Sequence, residues 1–384
     1  MTVFIFGAGI NRGIFDWDGL QPPLANDFFQ LALKHSRTGL QRYRNLLQPL
    51  FEYIRRYWKL TIGDLEDQPF DLESCYTLIQ LQRLEAQRRN DRHSWLTLAR
   101  LEYRLTAFLA EYLSEFEYFI HNSEEFKALG NILYSEKPAV LTFNYDTLVE
   151  SAIESASLVN ADIPASYPGM PTKSGEVPDD ELPYSHFNWN RPLSYGVQFD
   201  EVQLHRAGVP SIVSGERFYT HPENRLYNPP LLKLHGSINW FVHTGYTRLN
   251  DGLHDDKVGK TVLYRPTWWF NEPPFLGTWI IEPLIVTPVV NKETLRTPMI
   301  RKLWDRAREI LATCRRLIVA GYSFPPTDFH TRCLFLEAFS ENTPEEVVVI
   351  NPEKGVVERV KELCHFRKPV VLCNDLTEFL TQYE

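Results

Sequence analysis

The chain lacks any stretch approaching the roughly 18 consecutive apolar residues that a membrane span needs. Its first apolar run, Thr2 to Phe6, stops at Gly7. That is too short for the core of a signal peptide, and no positive charge precedes it. A cytoplasmic protein with no membrane contact is expected. Cysteine is scarce as well. The five present, Cys75, Cys314, Cys333, Cys364 and Cys373, form no C-x-x-C pair. Their odd number and wide spacing describe neither a disulfide framework nor a zinc ribbon, so they read as reduced, mostly buried thiols and no metal is expected. Positive charge is not in excess: 40 Lys and Arg against 49 Asp and Glu leave a formal charge of −9. This argues against a protein whose main business is to coat nucleic acid. A small phosphate-bearing ligand stays open, because backbone N–H groups can meet its charge. Internal repeats and low-complexity tracts are also missing.

What is present is hydrophobic residue, 43% of the 384, with 13% aromatic, enough for a substantial buried core. Five short apolar runs are each followed by a turn signal and usually by a helical pattern: residues 3–6, 139–143, 317–320, 347–350 and 370–372. Residues 231–234 and 284–286 are further candidates. Such alternation is the mark of a parallel sheet wrapped by helices, and continuous rather than alternating hydrophobicity means that both faces are covered. The expected fold is α/β, a Rossmann-like parallel sheet with helices on both faces, built from the whole chain, 1–384.

Insertions interrupt that core. Residues 39–130 contain almost no Gly or Pro, and Trp95, Leu98, Leu101, Leu105, Phe108, Tyr112 and Phe119 fall at helical spacing on one face, which predicts a helical subdomain. Arg83, Arg88, Arg89 and Arg92 within it read first as a solvated face rather than a phosphate contact. Residues 157–230 shift to Pro, Ser, Tyr and Asn with little periodicity, and a second irregular stretch covers 243–278. Loop-rich insertions of this length are commonly lids or interfaces.

Several turns at strand ends carry residues suited to chemistry. Gly7-Ala8-Gly9 offers close backbone approach to a pyrophosphate. The dehydrogenase fingerprint is not met, because the third glycine is Gly13 and no acidic residue ends a second strand about 20 residues on, so hydride transfer is disfavoured. Thr142-Phe143-Asn144-Tyr145-Asp146 sends Asn144 and Asp146 off a buried strand, where open α/β sheets bind ligands. Asp146 or Thr147 could equally cap a helix beginning at Leu148. His235 follows an apolar run and precedes Gly236, and its imidazole suits proton removal near neutrality or a structural hydrogen bond. Gly321-Tyr322-Ser323-Phe324-Pro325 can present amides and a hydroxyl, while Asp328 or Thr327 is more simply a helix cap. Asn351 before Pro352 can bond a ribose or merely start a turn.

Taken in order, Gly-Ala-Gly, Asn-x-Asp, His-Gly, Gly-x-Ser and Asn-Pro resemble the sirtuin superfamily. The wording, with Leu234-His235-Gly236-Ser237-Ile238-Asn239-Trp240, is most similar to the divergent bacterial sirtuin-like proteins of antiphage defence. That resemblance implies hydrolysis of NAD to nicotinamide and ADP-ribose, depleting the cell of NAD. It implies that Asn144 holds the ribose or the attacking water, Asp146 binds the nicotinamide carboxamide and His235 is the general base. Gly7, Ala8 and Gly9 would take the pyrophosphate, with Ser323 and Asn351 on the adenosine side. Asn11 departs from the usual serine. The absent four-cysteine zinc module argues against a deacylase, although an ADP-ribosyltransferase and a non-enzymatic NAD or ADP-ribose sensor remain alternatives. The compact build, with Glu384 soon after the last strand, resembles those proteins that work beside a separately encoded HerA-like ATPase. Contact with nucleic acid would then come only through that partner. A homo-oligomer is expected on a different ground, because the helical insertion offers more amphipathic surface than a single core can readily cover.

Overall fold

In the computed structural model, which describes residues 1–12, 22–35, 40–114, 116, 123–160, 195–206, 209–220, 231–243, 259–263, 281–287 and 297–383, the chain begins with β1 (Thr2–Phe6). Six helices follow: α1 (Phe28–His35), α2 (Leu40–Trp58), α3 (Ile62–Asp67), α4 (Leu72–Arg88), α5 (Arg92–Ser114) and α6 (Glu124–Glu136). Next come β2 (Ala139–Thr142), α7 (Leu148–Asn160), β3 (Glu201–Arg206), β4 (Val209–Ser214), α8 (Gly215–Thr220), β5 (Leu231–Lys233), β6 (Gly236–His243), β7 (Thr261–Leu263) and β8 (Ile281–Ile285). The C-terminal third alternates regularly: α9 (Pro298–Ala312), β9 (Arg316–Ala320), α10 (Phe329–Ala338), β10 (Glu346–Ile350), α11 (Gly355–Leu363), β11 (Val371–Cys373) and α12 (Leu376–Tyr383).

The five apolar runs, joined by residues 231–233, assemble into one six-stranded sheet in the order β11-β10-β9-β1-β2-β5, with every pair parallel. Phe4 of β1 stands in register with Val140 on one side and Ile318 on the other. β1, β2, β5, β9 and β10 are buried almost residue for residue. This is the α/β, Rossmann-like architecture expected from continuous apolar strands covered on both faces.

One candidate strand lies elsewhere. Leu284 and Ile285 belong to β8, at the edge of a second sheet ordered β4-β3-β7-β6-β8, where β8 runs antiparallel to β6. Pro283 within β8 suits an edge, since proline has no N–H to give a further strand. The loop-rich stretch 157–230 also contains regular structure. α7 runs to Asn160, and β3 and β4 pair as an antiparallel hairpin in register from Glu201 with Ser214 to Arg206 with Val209. β7 falls inside the stretch 243–278.

The long insertion is helical. On α5, Leu98, Leu101, Leu105, Phe108 and Tyr112 are buried as their spacing predicts and Trp95 is half-buried, while Phe119 lies outside the described residues. Arg83 pairs with Glu102 at 2.6 Å and Arg89 with Glu85 at 2.7 Å; Arg88 and Arg92 are exposed. Phe28 packs edge-on against Phe108 at 5.0 Å, and the Tyr76 hydroxyl bonds Thr106 at 3.1 Å. This second apolar core also takes in Ile238 of β6 and Ile285 of β8. Gln80 of α4 bonds Thr287 just beyond β8 at 2.9 Å. The helices are therefore packed onto the second sheet rather than tethered by their ends alone. Leu105 is fully buried in that shared core, so Leu105→Ala should cost about 2–5 kcal/mol. Thermal unfolding of the variant should remain one transition, because helices and second sheet lose the same contacts together.

Candidate functional site

Counted in chain order, the parallel sheet reads 3-2-1-4-5-6, and the direction of winding reverses between β1 and β9. Ligands of open α/β sheets bind outside the carboxyl ends of the strands at such a reversal. A cavity of about 1270 Å³ lies there, and each strand-end loop contributes to it: Ala8 after β1, Asn144 after β2, His235 after β5, Ser323 after β9, Asn351 after β10 and Asn374 after β11. The insertion also lines it, with an apolar patch of Leu78 and Leu81 of α4 and Leu109 and Leu113 of α5 beside the polar start of α4.

A row of backbone hydrogen bonds extends the sheet ladder into these loops. Leu234 N–H donates to Thr142, Phe143 to Phe6, Gly7 to Ala320, Gly321 to Ile350 and Asn351 to Cys373, all at 2.9–3.0 Å. Gly9 N–H donates to the Gly321 carbonyl at 2.9 Å. The glycines of the first turn are explained by this neighbour. A Cβ at Gly7 would meet Tyr322 at 2.6 Å, and one at Gly9 would meet the Gly321 oxygen at 2.7 Å. From sequence their missing side chains suggest room for a pyrophosphate; in the fold that room holds the loop after β9, and both amides are engaged there. Ala8, exposed between them, and Gly9 line the cavity, whereas Gly7 does not.

Asn144 and Asp146 leave β2 together and both are buried, 4% and 5% exposed. Asn144 is held through its backbone, whose N–H donates to Thr142 Oγ1 at 3.1 Å. Neither its Oδ1 nor its Nδ2 has a hydrogen-bond partner among the described residues. An orphaned amide inside a protein costs about 1–3 kcal/mol unless something arrives to pair with it. Asp146 takes the capping role and also makes a bond that its position in the sequence did not announce. Its Oδ1 accepts from the Leu148 N–H at 3.1 Å at the start of α7, and its Oδ2 accepts from Asn11 Nδ2 at 2.8 Å. Asn11, standing in place of serine, thus ties the loop after β1 to the loop after β2. Burial pushes the Asp146 carboxyl above its ordinary 3.8, against the pull of Lys233.

His235 is buried in an aromatic surround, with Phe143 edge-on at 5.0 Å and Tyr145 and Trp304 stacked at 6.2 and 6.3 Å. Trp304 Nε1 donates to the Leu234 carbonyl at 2.9 Å, and the His235 carbonyl accepts from Val286, so the backbone on either side is fixed. Asp328 Oδ2 stands 3.6 Å from His235 Nε2 and accepts from the Tyr322 hydroxyl at 2.6 Å and Thr331 Oγ1 at 2.8 Å. Its sequence position, at the start of α10, signals only a cap, yet its side chain makes no cap bond. A carboxylate near the imidazole can steady its orientation and its charged form. Ser323 lines the cavity, and Asn351 accepts from the Glu353 N–H at 2.9 Å, which is the turn-starting role.

Charge in the cavity is one-sided. Asp71, Glu73, Asp146, Asp328, Glu353 and Asp375 face it, and Arg12, the one Lys or Arg among the lining residues described, is paired with Asp27. No group of three or more His, Cys, Asp or Glu among the described residues could hold a metal ion. Among them, too, no helix is long and apolar enough to cross a membrane. All five cysteines are free, and burial pushes the Cys75 and Cys314 thiols up to about 12.

Two outcomes follow from this geometry. Gly321 has φ +65° and its Cβ would overlap the Ile10 amide nitrogen, so Gly321→Ala, which at a compatible site would gain about 0.4–1 kcal/mol, should here lose more than that amount, measured by denaturant unfolding. For Asp146 the raised carboxyl means that the fold favours the protonated form. Its contribution to stability is full below about 3.8 and falls as pH rises through the raised value. Asp146→Asn, in which a turned Asn11 amide can still pair, should remove that dependence. Unfolding curves from pH 4 to 8 should show the variant gaining on the parent as pH rises. Comparison of the chain with protein-family models and with curated proteins found no match.

Proposed function

We propose that the chain binds NAD across the strand ends and hydrolyses its nicotinamide–ribose bond, releasing nicotinamide and ADP-ribose. The observation that carries this reading is the Asn144 amide, buried and unpaired in the same cavity as Asp146 and His235. An amide left without partners in a ligand cavity is explained by a ligand that supplies them. The order of the strand-end motifs, with its sirtuin-like resemblance, says which ligand.

The chemistry asks little of an acid, because nicotinamide departs as a neutral molecule from a cationic ring. C1′ of the ribose becomes electron-poor as the C–N bond lengthens, water adds its oxygen there, and a base must take the proton. His235 is the base in this reading, steadied by Asp328, and Asn144 holds the ribose hydroxyl or the water. Asp146 in this reading meets the nicotinamide carboxamide, its carboxyl held at the strand end by Asn11 and the Leu148 amide. The acidic lining suits a cationic nicotinamide ring over a leaving group that would depart as an anion. In this reading the two phosphates are met by backbone groups near Ala8 and by the Ser323 turn, since among the described residues the lining's one Lys or Arg, Arg12, is paired with Asp27. By the same resemblance the chain acts in antiphage defence through NAD depletion, regulated by a HerA-like ATPase, and the amphipathic surface of the helical insertion suits a homo-oligomer.

A positioned base supplies about 10²- to 10⁴-fold in rate, so His235→Ala should lose that much nicotinamide release while keeping its fold. Asn144→Ala should lose a comparable amount. Release is to be followed from NAD with and without the ATPase. A His235→Ala protein as fast as the parent would remove the assigned base, and NAD bound without turnover under both conditions would turn the reading to a sensor.

A further inference from the structure

Beneath the Asn144–Asp146 loop lies an ion pair that does not line the cavity. Lys233, the last residue of β5, is wholly buried, and its Nζ bonds Glu150 Oε1 of α7 at 2.9 Å. The same Nζ donates to the backbone carbonyl of Asp146. Tyr195, ahead of β3, donates its hydroxyl to Glu150 Oε1 at 3.0 Å. Lys233 pairs in register with Thr142, whose carbonyl takes the Leu234 N–H and whose Oγ1 takes the Asn144 N–H. One side chain thus joins the two strand ends that carry Asn144 and Asp146 on one side and His235 on the other.

Burying a lysine and a glutamate costs several kcal/mol per ion, which their attraction repays only when the geometry is good and the remaining donors and acceptors are used. An apolar pair would fill the same space at no such cost. The arrangement is accounted for by the second bond of Lys233, to the Asp146 carbonyl, which an apolar residue could not make. We propose that Lys233 is a positioning residue, whose ammonium fixes the Asn144–Asp146 loop relative to His235.

The kinetic part of this proposal rests on the NAD-cleaving reading; the structural part does not, and the test separates them. In the full chain, Lys233→Met with Glu150→Leu removes both charges together and keeps the packing. Misplacing a reacting group by about 1 Å costs about 10²-fold, and the double variant should lose that much NAD turnover, chiefly in kcat. Glu150→Gln keeps an acceptor for Lys233 and leaves its bond to Asp146, so its turnover should stay near the parent's even if its stability falls. Hydrogen exchange at the Asn144 and Leu148 amides should quicken in the double variant while the amides of β1 and β9 keep their protection. Lys233→Gln with Glu150→Gln, a neutral pair too short to reach the carbonyl, carries the same expectation if the apolar pair does not fold. Parent-like exchange at Asn144 and Leu148 in a folded double variant would overturn the proposal. A parent that neither binds nor cleaves NAD would overturn the functional reading instead, and the exchange result would still decide the role of Lys233.

Discussion

The row of backbone hydrogen bonds that crosses the carboxyl ends of the six parallel strands is the constraint from which the site follows. Except at the edge strand β11, each strand ends and the first amide of its loop reaches sideways to the last carbonyl of the neighbouring strand. The loops cannot drift independently, because moving one breaks a bond to the next. At the winding reversal the constraint is tightest: Gly321 is bonded both to Ile350 and to Gly9, so the loops after β10, β9 and β1 share one small volume. Only glycine fits at that junction, since any side chain there would occupy backbone already present. Side chains carried on such loops inherit their spacing from the 4.7–4.9 Å separation of strands.

The parallel sheet was legible because its strands are short, apolar on both faces and separated by helical periodicity. The helical insertion was legible for the same reason, with Leu98, Leu101, Leu105 and Phe108 at steps of three and four. The second sheet was not. Its strand β6 contains Ser237 and Asn239, both buried, and the Ser237 hydroxyl satisfies them by bonding Asn239 Oδ1 at 2.6 Å. A scan for apolar runs does not see polar residues that pair with each other inside the core. β4 carries Pro210, which masks a strand at one sheet edge, while of β8 at the other edge only the apolar end beyond Pro283 stood out.

In the site, the residue types were legible and their partners were not. Asn144 and His235 stand out because each follows an apolar run directly, and Asp146 because it lies two residues beyond Asn144. Asp328 does not, since an acidic residue before a helix is explained by capping, and nothing in one dimension brings it to an imidazole 93 positions earlier. Lys233 reads as an ordinary interruption in a strand and is instead fully buried. The glycines carried a true signal with a different cause: their lack of side chains answers to Gly321 and Tyr322, more than 300 residues away in the chain. Pairings between distant segments are set by the sheet order, which the sequence states only through all of its strands together.

That sheet order has a kinetic consequence. β1, at the start of the chain, lies between β2 and β9, and Phe4 meets Ile318. Loop-closure entropy must be spent before such distant contacts return anything, so this topology folds slowly for its size. The helical insertion, rich in local contacts, can form while the first strand still waits for its second neighbour. The cavity, by contrast, is closed by residues from Ala8 to Leu376 and cannot exist until the last strands have been made. A nascent chain on the ribosome is therefore inert toward any ligand of this site until the residues through Leu376 have emerged, whatever that ligand does afterwards.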